Sequence, residues 1–263
     1  MKKYAVIFSI AWQRALAYRG VSVIFTLFFL INGLLSFAIW VVAFKSSPDR
    51  LAGTLPQLLV YFTILIFIHQ LIQPYTAGVI ANEHIKQGQL SMYLLKPIPY
   101  FRFMFLTVLP WRIVQFLLSL PLAIVLMFAF RQHIALDYQA FILGFLLLPL
   151  ALLLSFIIQL FFAQFAFWFD DATGFLNVAE VLTLLFSGAG IPIFLFPEIL
   201  KQIGSLLPFQ YAMYFPVATL SGLVSITEYW RSFFMLLTWI VGLGLIVNLL
   251  WRRGLRRFTG EGI

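Results

Sequence analysis

Long apolar runs are the feature that most constrains this chain of 263 residues. Runs of at least 18 residues with few or no charges recur along its whole length, and such runs are typical of membrane-crossing helices. Only 10% of the residues are charged, whereas soluble domains carry about 25%. We therefore predict an all-α integral membrane protein with one transmembrane domain over residues 1–263.

Six apolar runs divide the chain into predicted transmembrane helices. They cover residues 21–44, 55–79, 103–130, 139–169, 175–190 and 231–251. Asp171 precedes the fifth run and is a candidate cap for that helix. Residues 1–19 carry basic but no acidic side chains beside an apolar face, which predicts a helix lying flat on an anionic leaflet.

The basic residues predict how these helices are oriented. Six spans place both termini on one side of the membrane. Most of the 17 Lys and Arg residues lie in the termini and in the loop between spans two and three. Because positively charged loops remain in the cytoplasm, we predict that both termini and this loop are cytoplasmic. The net charge of +8 then needs no nucleic acid as a partner.

Residues 81–100 form the longest polar interruption in the first two thirds of the chain. Gly88 can turn the chain between two short helices, and Ser91 is a candidate cap for the second, at residues 92–96. Pro97 and Pro99 end that helix. Two interpretations follow: the helices offer side chains to a soluble partner, or the loop only anchors two membrane helices.

Residues 189–216 are apolar but broken by proline and glycine, at Pro192, Pro197, Gly204, Pro208 and Pro216. A straight transmembrane helix would not tolerate these breaks. Short helices that enter the membrane and return can tolerate them where protein satisfies the freed backbone groups. We therefore predict a re-entrant extracellular segment between spans five and six.

Several catalytic motifs are missing from the sequence. It contains no G-x-x-x-x-G-K-[ST] phosphate-binding loop, no H-E-x-x-H and no G-x-S-x-G. The three histidines are scattered, and the absence of cysteine excludes thiol catalysis and Cys-ligated metal. We predict no catalytic residue, metal or cofactor in this chain.

Three stretches carry a resemblance to a known family. NEHIKQGQLSMYLLKPIP is similar to the run E-I-x-x-G-x-L-S-x-x-L-L-x-P-I of ABC-2 type transporter permeases, bacterial proteins encoded beside a separate ATPase. FSGAGIPIFLFPEILKQIGSLLPF resembles their re-entrant segment, and WRRGLRRFTGEG resembles their W-x-x-G-L-x-x-[YF]-x-G-x-G ending. The sequence departs from the first run at His84, where the family has Ile.

The resemblance implies a function and its partners. Residues 81–96 would be the coupling helix, which sits in a cleft of an ABC ATPase subunit that binds ATP and Mg²⁺. The implied coupling residues are Glu83, His84, Ile85, Lys86, Gly88, Leu90 and Ser91. Two ATPase copies and a second permease, identical or related, would complete an exporter in the bacterial cytoplasmic membrane. The alternative is an ATP-independent channel or a structural membrane protein.

Polar side chains inside the predicted spans are candidates for a translocation path, because such groups usually face protein or water. These candidates are Asn32, Ser36, His69, Gln73 and Gln159. The simpler explanation is that they form hydrogen bonds between helices. The other predicted cavity-facing residues are apolar or aromatic, which suits an amphipathic or lipid-like substrate.

Arg112 and Glu180 are predicted to lie at similar depths in spans three and five. An unpaired charge at that depth costs at least a few kcal/mol, and a guanidinium–carboxylate pair would lower this cost. We predict an ion pair, either within one subunit or across the permease interface. Alternatively, each side chain meets a separate polar partner or a water-filled cavity.

Overall fold

The computed structural model describes residues 2–46, 55–73, 75–130, 137–169 and 171–259. These residues form α-helices and two short 3₁₀ helices, Gln164–Phe167 and Ile193–Leu195, and no strand. The α-helices are α1 (Lys2–Ala17), α2 (Arg19–Ser46), α3 (Leu55–Ile72), α4 (Tyr75–Lys86), α5 (Leu90–Leu94), α6 (Tyr100–Ala129), α7 (Tyr138–Ala163), α8 (Thr173–Phe186), α9 (Glu198–Ser205), α10 (Phe209–Ala212), α11 (Tyr214–Leu220) and α12 (Ile226–Leu255). The prediction of an all-α protein is confirmed for this part of the chain.

Within these ranges, five helical stretches are long and apolar enough to cross a membrane. They are Arg19–Ala43, Pro56–Lys86, Tyr100–Ala129, Tyr138–Phe167 and Ile226–Leu255. The predicted fifth span corresponds to α8, which has 14 residues and is about 21 Å long at 1.5 Å per residue. A helix of that length is shorter than the hydrocarbon core of about 30 Å, so the sixth span stays a prediction.

The second span extends further than the sequence predicts. We expected it to end at residue 79, but α4 continues to Lys86, so the first part of the 81–100 segment is an extension of the span. Ala81, Asn82 and Ile85 are buried there, because this turn of helix packs against protein. The polar residues of this extension therefore do not mark the end of the second span.

The predicted cap at Ser91 is wrong. Helix α5 begins at Leu90, and the residue before it, Gln89, makes no capping hydrogen bond through its side chain. Ser91 lies inside the helix, and its hydroxyl donates to the carbonyl of Gly88 at 2.7 Å. Serine hydroxyls inside helices commonly donate to a carbonyl of the preceding turn in this way, instead of capping a helix.

Helix α7 lies at the centre of the molecule. Half of the residues in its most apolar stretch are buried, compared with 75% in the second span and 17% in α2 and in α12. Its buried residues, such as Leu147, Ala151 and Leu154, pack against α3, α4, α8, α11 and α12. The two outer helices therefore leave most of their apolar surface to lipid or to another protein.

Residues 189–216 fold into the short helices that the proline pattern predicts. Pro192, Pro197 and Pro208 each stand directly before a short helix, where the missing N–H of proline costs no hydrogen bond. Trp40 Nε1 donates to the carbonyl of Gly190 at 3.1 Å, and Tyr61 Oη donates to the carbonyl of Gly188 at 2.9 Å. The segment is thus held against α2 and α3, and its re-entry into the membrane stays a prediction.

Some sequence predictions fall wholly or partly outside the described residues. They concern the loops at residues 45–54 and 131–138, Asp170 beside Asp171, and the last residues of the tail motif, 260–262.

Candidate functional site

The 81–100 segment joins two long helical stretches through one sharp turn. Gly88 has φ 68°, a left-handed backbone conformation that costs roughly 1–2 kcal/mol for other L-residues. Its amide donates to the carbonyl of Ile85 at 3.3 Å, and its own carbonyl accepts from the amide of Ser91 at 3.2 Å. The turn predicted at Gly88 is therefore present, between α4 and α5.

Aromatic side chains fasten this segment to three helices. The ring of His84 stacks on Tyr93 of α5 with centroids 4.3 Å apart, and its Nδ1 lies 2.9 Å from the hydroxyl of Tyr100 in α6. Tyr100 in turn stacks on Trp251 of α12 at 4.9 Å, with the rings 11° from parallel. A displacement of α5 would therefore act directly on α4 and α6, and through Tyr100 on α12.

Asp171 links the same segment to α8. Its Oδ2 lies 3.0 Å from Lys86 Nζ, and its Oδ1 accepts from Asn82 Nδ2 at 2.9 Å and from the Thr173 amide at 2.9 Å. The Asn82 side-chain oxygen accepts from the amide of Ala172 at 3.0 Å. Hydrogen bonds from Thr173, Asn82 and Lys86 hold the pKa of Asp171 well below its ordinary value.

Sequence reasoning identified Asp171 only as a helix cap and did not identify Asn82, Tyr93, Tyr100 or Trp251 as parts of this site. No local pattern pairs Asn82 with Asp171, since 89 residues separate them. A polar Asn at the end of an apolar span was the available signal. The structure assigns these residues to the support of the segment.

The predicted coupling residues divide into two groups. His84, Ile85, Gly88 and Leu90 are buried, so they shape the segment from within. Glu83 and Ser91 are exposed, and Lys86 is partly exposed and paired with Asp171. The exposed surface also includes residues that were not predicted, namely Gln87, Met92, Leu94 and Leu95.

Two of the candidate path residues lie together. Gln73 and Gln159 line a cavity of about 10 Å³ beside Ser155, Thr183 and Ser187. That volume accommodates about one water molecule and is too small for a substrate. Gln159 Oε1 has no hydrogen-bond partner among the described residues, so this conformation contains a polar cavity without an open path.

The other path candidates lie elsewhere. Asn32 is exposed on α2 and donates to the carbonyl of Phe28 in its own helix at 2.8 Å, and Ser36 is half-buried on the same helix. His69 packs against Phe29 with ring centroids 5.5 Å apart. The five residues therefore do not line a single cavity in this conformation, and their role in a path stays a prediction.

Arg112 has polar partners of its own. It is buried in α6, and its two terminal nitrogens donate to Thr76 Oγ1 at 2.9 Å and to Gln115 Oε1 at 3.0 Å. Glu180 is exposed on α8, and no salt bridge joins it to Arg112 among the described residues. Within one chain, Arg112 therefore meets separate polar partners, as in the alternative given above. An ion pair between Arg112 and Glu180 across a permease interface stays a prediction.

Comparison with known proteins adds one finding to this geometry. A family model described as ABC-2 family transporter protein matches residues 30–262, a range that includes the 81–100 segment and four of the five candidate spans completely. No significant match was found among curated proteins or among solved structures.

Proposed function

This chain belongs to the ABC-2 transporter family, and from that premise we propose that it is the permease subunit of an ATP-driven exporter. ATP and Mg²⁺ bind in a separate ABC ATPase, of which two copies serve one transporter. The permease provides the membrane path and the surface on which the ATPase acts. It contributes no catalytic residue to ATP hydrolysis.

The exposed surface of the 81–100 segment is the observation that carries this proposal. Leu95 is 87% exposed and Met92 is 61% exposed, and the polar side chains of Glu83 and Gln87 are exposed in the same segment. Buried aromatic contacts and the Asp171 hydrogen bonds fix the backbone beneath this surface. A fixed surface with mixed apolar and polar groups suits a protein partner better than a loop that only anchors two helices.

Coupling then follows from the contacts of the segment. When the ATPase closes, it displaces α5 and the end of α4. Asn82 and Lys86 transmit this movement through Asp171 to α8, and His84 transmits it through Tyr100 to α6 and Trp251. The segments that move are thus the central spans and the short helices that follow α8.

The finer architecture belongs to the same proposal. Helix α8 together with the re-entrant helices that follow it acts as the sixth crossing, with both termini cytoplasmic in the bacterial inner membrane. A second permease, identical or related, covers part of the exposed surface of α2. The abundance of aromatic and apolar residues, including 31 Phe, favours an amphipathic or lipid-like substrate.

Copurification tests the proposal. We expect the affinity-tagged chain, solubilised in detergent, to recover the ABC ATPase encoded beside it when both are expressed. Replacement of Leu94 and Leu95 by aspartate should abolish this recovery, whereas Leu206→Asp should not. Leu206 is a suitable control because it is 71% exposed and lies in the segment that we place on the extracellular side.

Failure of the wild-type chain to recover the ATPase would contradict the proposal and favour an ATP-independent channel or a structural membrane protein. If the Leu94/Leu95 double variant recovered as much ATPase as the wild type, the 81–100 segment would not be the surface that contacts the ATPase.

A further inference from the structure

An apolar groove of about 530 Å³ lies between α6, α7 and α12. Its wall is mainly apolar and includes Phe101, Phe105, Phe156 and Val247. Its volume falls within the range of cavities that hold small organic ligands. The groove is separate from the cavity of Gln73 and Gln159, and the coupling contacts described above do not require it.

The polar groups of the groove are concentrated at one end. Arg102, the third residue of α6, lines the groove and donates through Nη1 to the hydroxyl of Tyr4 at 3.3 Å. Asn248 lines both this groove and a neighbouring cavity of about 400 Å³, which also contains Lys96. Both cations therefore lie at the membrane boundary, where α6 begins after the 81–100 segment.

The charge at this end is positive and uncompensated. Among the described residues, neither the groove nor the neighbouring cavity is lined by an acidic side chain. The described partners of Arg102 and Lys96 are a tyrosine hydroxyl and two aromatic rings, since Lys96 Nζ lies 4.2 Å from the Tyr93 ring and 4.3 Å from the Phe103 ring. A guanidinium fork of this kind matches the oxygens of a phosphate group.

Gly244 keeps the apolar part of the groove open. It lines the groove one helical turn before Asn248, and no atom lies within 4 Å of the position that a Cβ would occupy. A Cβ at this position would therefore meet no described atom. The groove is thus apolar along α12 at Gly244 and positively charged at the membrane boundary, which is the arrangement of groups in an anionic phospholipid.

We propose that this groove binds one anionic phospholipid from the leaflet beside the 81–100 segment. Its phosphate lies at Arg102, within reach of Lys96, and one acyl chain runs along Phe105, Phe156 and Gly244. Charge complementarity at one end and apolar walls along the rest identify the occupant. Lipid binding at this site can be measured without the ATPase, because every group that forms the site belongs to this chain.

Native mass spectrometry of the full chain in detergent tests the proposal, with phosphatidylglycerol and phosphatidylcholine titrated separately. We expect one phosphatidylglycerol to bind more tightly than phosphatidylcholine. Arg102→Gln should weaken phosphatidylglycerol by about tenfold, the effect of losing one charge-assisted hydrogen bond, and phosphatidylcholine by less, because the choline cation already offsets the phosphate charge of that lipid. Gly244→Leu should weaken both lipids, because it fills the space of the acyl chain.

Two matched variants serve as controls. Gly242→Leu makes the same substitution in the same helix, also in open space but outside the groove, and Arg256→Gln removes an equal charge from the tail. Both should bind phosphatidylglycerol as the wild type does. Equal weakening by Gly242→Leu and Gly244→Leu, or no preference for the anionic lipid, would overturn the proposal. Displacement of the lipid by excess inorganic phosphate would also overturn it, since it would indicate an anion site without an acyl-chain groove.

Discussion

Gly88 determines the direction of the chain between α4 and α5. Its φ of 68° is strained for every residue with a Cβ, and most of all for a β-branched one. We predict that Gly88→Val lowers the free energy of unfolding by roughly 1–2 kcal/mol and uncouples the ATPase activity of the complex from transport. Thermal unfolding and paired ATPase and transport assays measure these two effects.

Gly88→Asn is the matched control, because asparagine adopts the left-handed conformation more readily than other L-residues. It should retain most of the coupling. Normal transport by Gly88→Val would show that coupling does not require the turn at Gly88.

Asp171 gives the attachment of the segment to α8 a pH dependence with a defined sign. Its pKa is lowered in the folded protein, so the ionised carboxylate stabilises the fold above the ordinary pKa of about 3.9. That contribution is lost as the pH falls below this value. We predict that Asp171→Asn lowers the melting temperature at neutral pH, and that its difference from the wild type shrinks below about pH 4.

Melting curves of both proteins over this pH range test the prediction. A difference that grows as the pH falls would show that Asp171 is not stabilised as a carboxylate.

At the scale of whole helices, close packing of α12 against the 3₁₀ helix that follows α7 depends on one glycine. A Cβ at Gly254 would collide with the ring of Phe167, whereas a Cβ at Gly242 in the same helix would meet no atom within 4 Å. We predict that Gly254→Ala destabilises the protein by roughly 1–3 kcal/mol through overpacking. Gly242→Ala should be neutral or stabilise the helix by up to about 1 kcal/mol.

Thermal unfolding of the two variants in the same detergent measures this difference. Equal stability of Gly254→Ala and the wild type would show that α12 moves away from Phe167 without loss.

At the scale of the whole molecule, α12 connects two surfaces of the protein. Its amino-terminal end lines a cavity of about 550 Å³ together with Lys201 of α9, and its carboxyl-terminal end carries Trp251, which stacks on Tyr100 beside the 81–100 segment. Its 30 residues extend about 45 Å at 1.5 Å per residue. The two surfaces therefore lie at opposite ends of a membrane-length helix.

We predict that Lys201→Cys reacts with an impermeant thiol reagent added outside intact cells, and that Ser91→Cys reacts only after the membrane is opened. The chain has no cysteine of its own, so any labelling of either variant comes from the introduced cysteine. Labelling of both variants from the same side would contradict the predicted topology.

The sequence alone determined the features that depend on local composition and on backbone constraints. Hydrophobic length located five long apolar helices, because crossing hydrocarbon requires about 20 consecutive apolar residues whatever the rest of the chain does. The proline breaks before Ile193 and α9, and the turn at Gly88, were predictable because φ restrictions act within one or two residues. Polarity, also a local property, drew attention to the 81–100 segment, and its role in contacting an ATPase stays a proposal.

Only the tertiary structure decided which side chains face outward and which contacts fix them. The family resemblance placed His84 and Leu90 in the same candidate group as Glu83, but packing against Tyr93, Tyr100 and the buried core directs the first two inward. Depth alone paired Arg112 with Glu180, whereas the rotation of α6 and its contact with α4 give Arg112 the side chains of Thr76 and Gln115. The physical reason is that helix rotation and neighbour choice depend on contacts between residues far apart in the chain, which a local pattern does not contain.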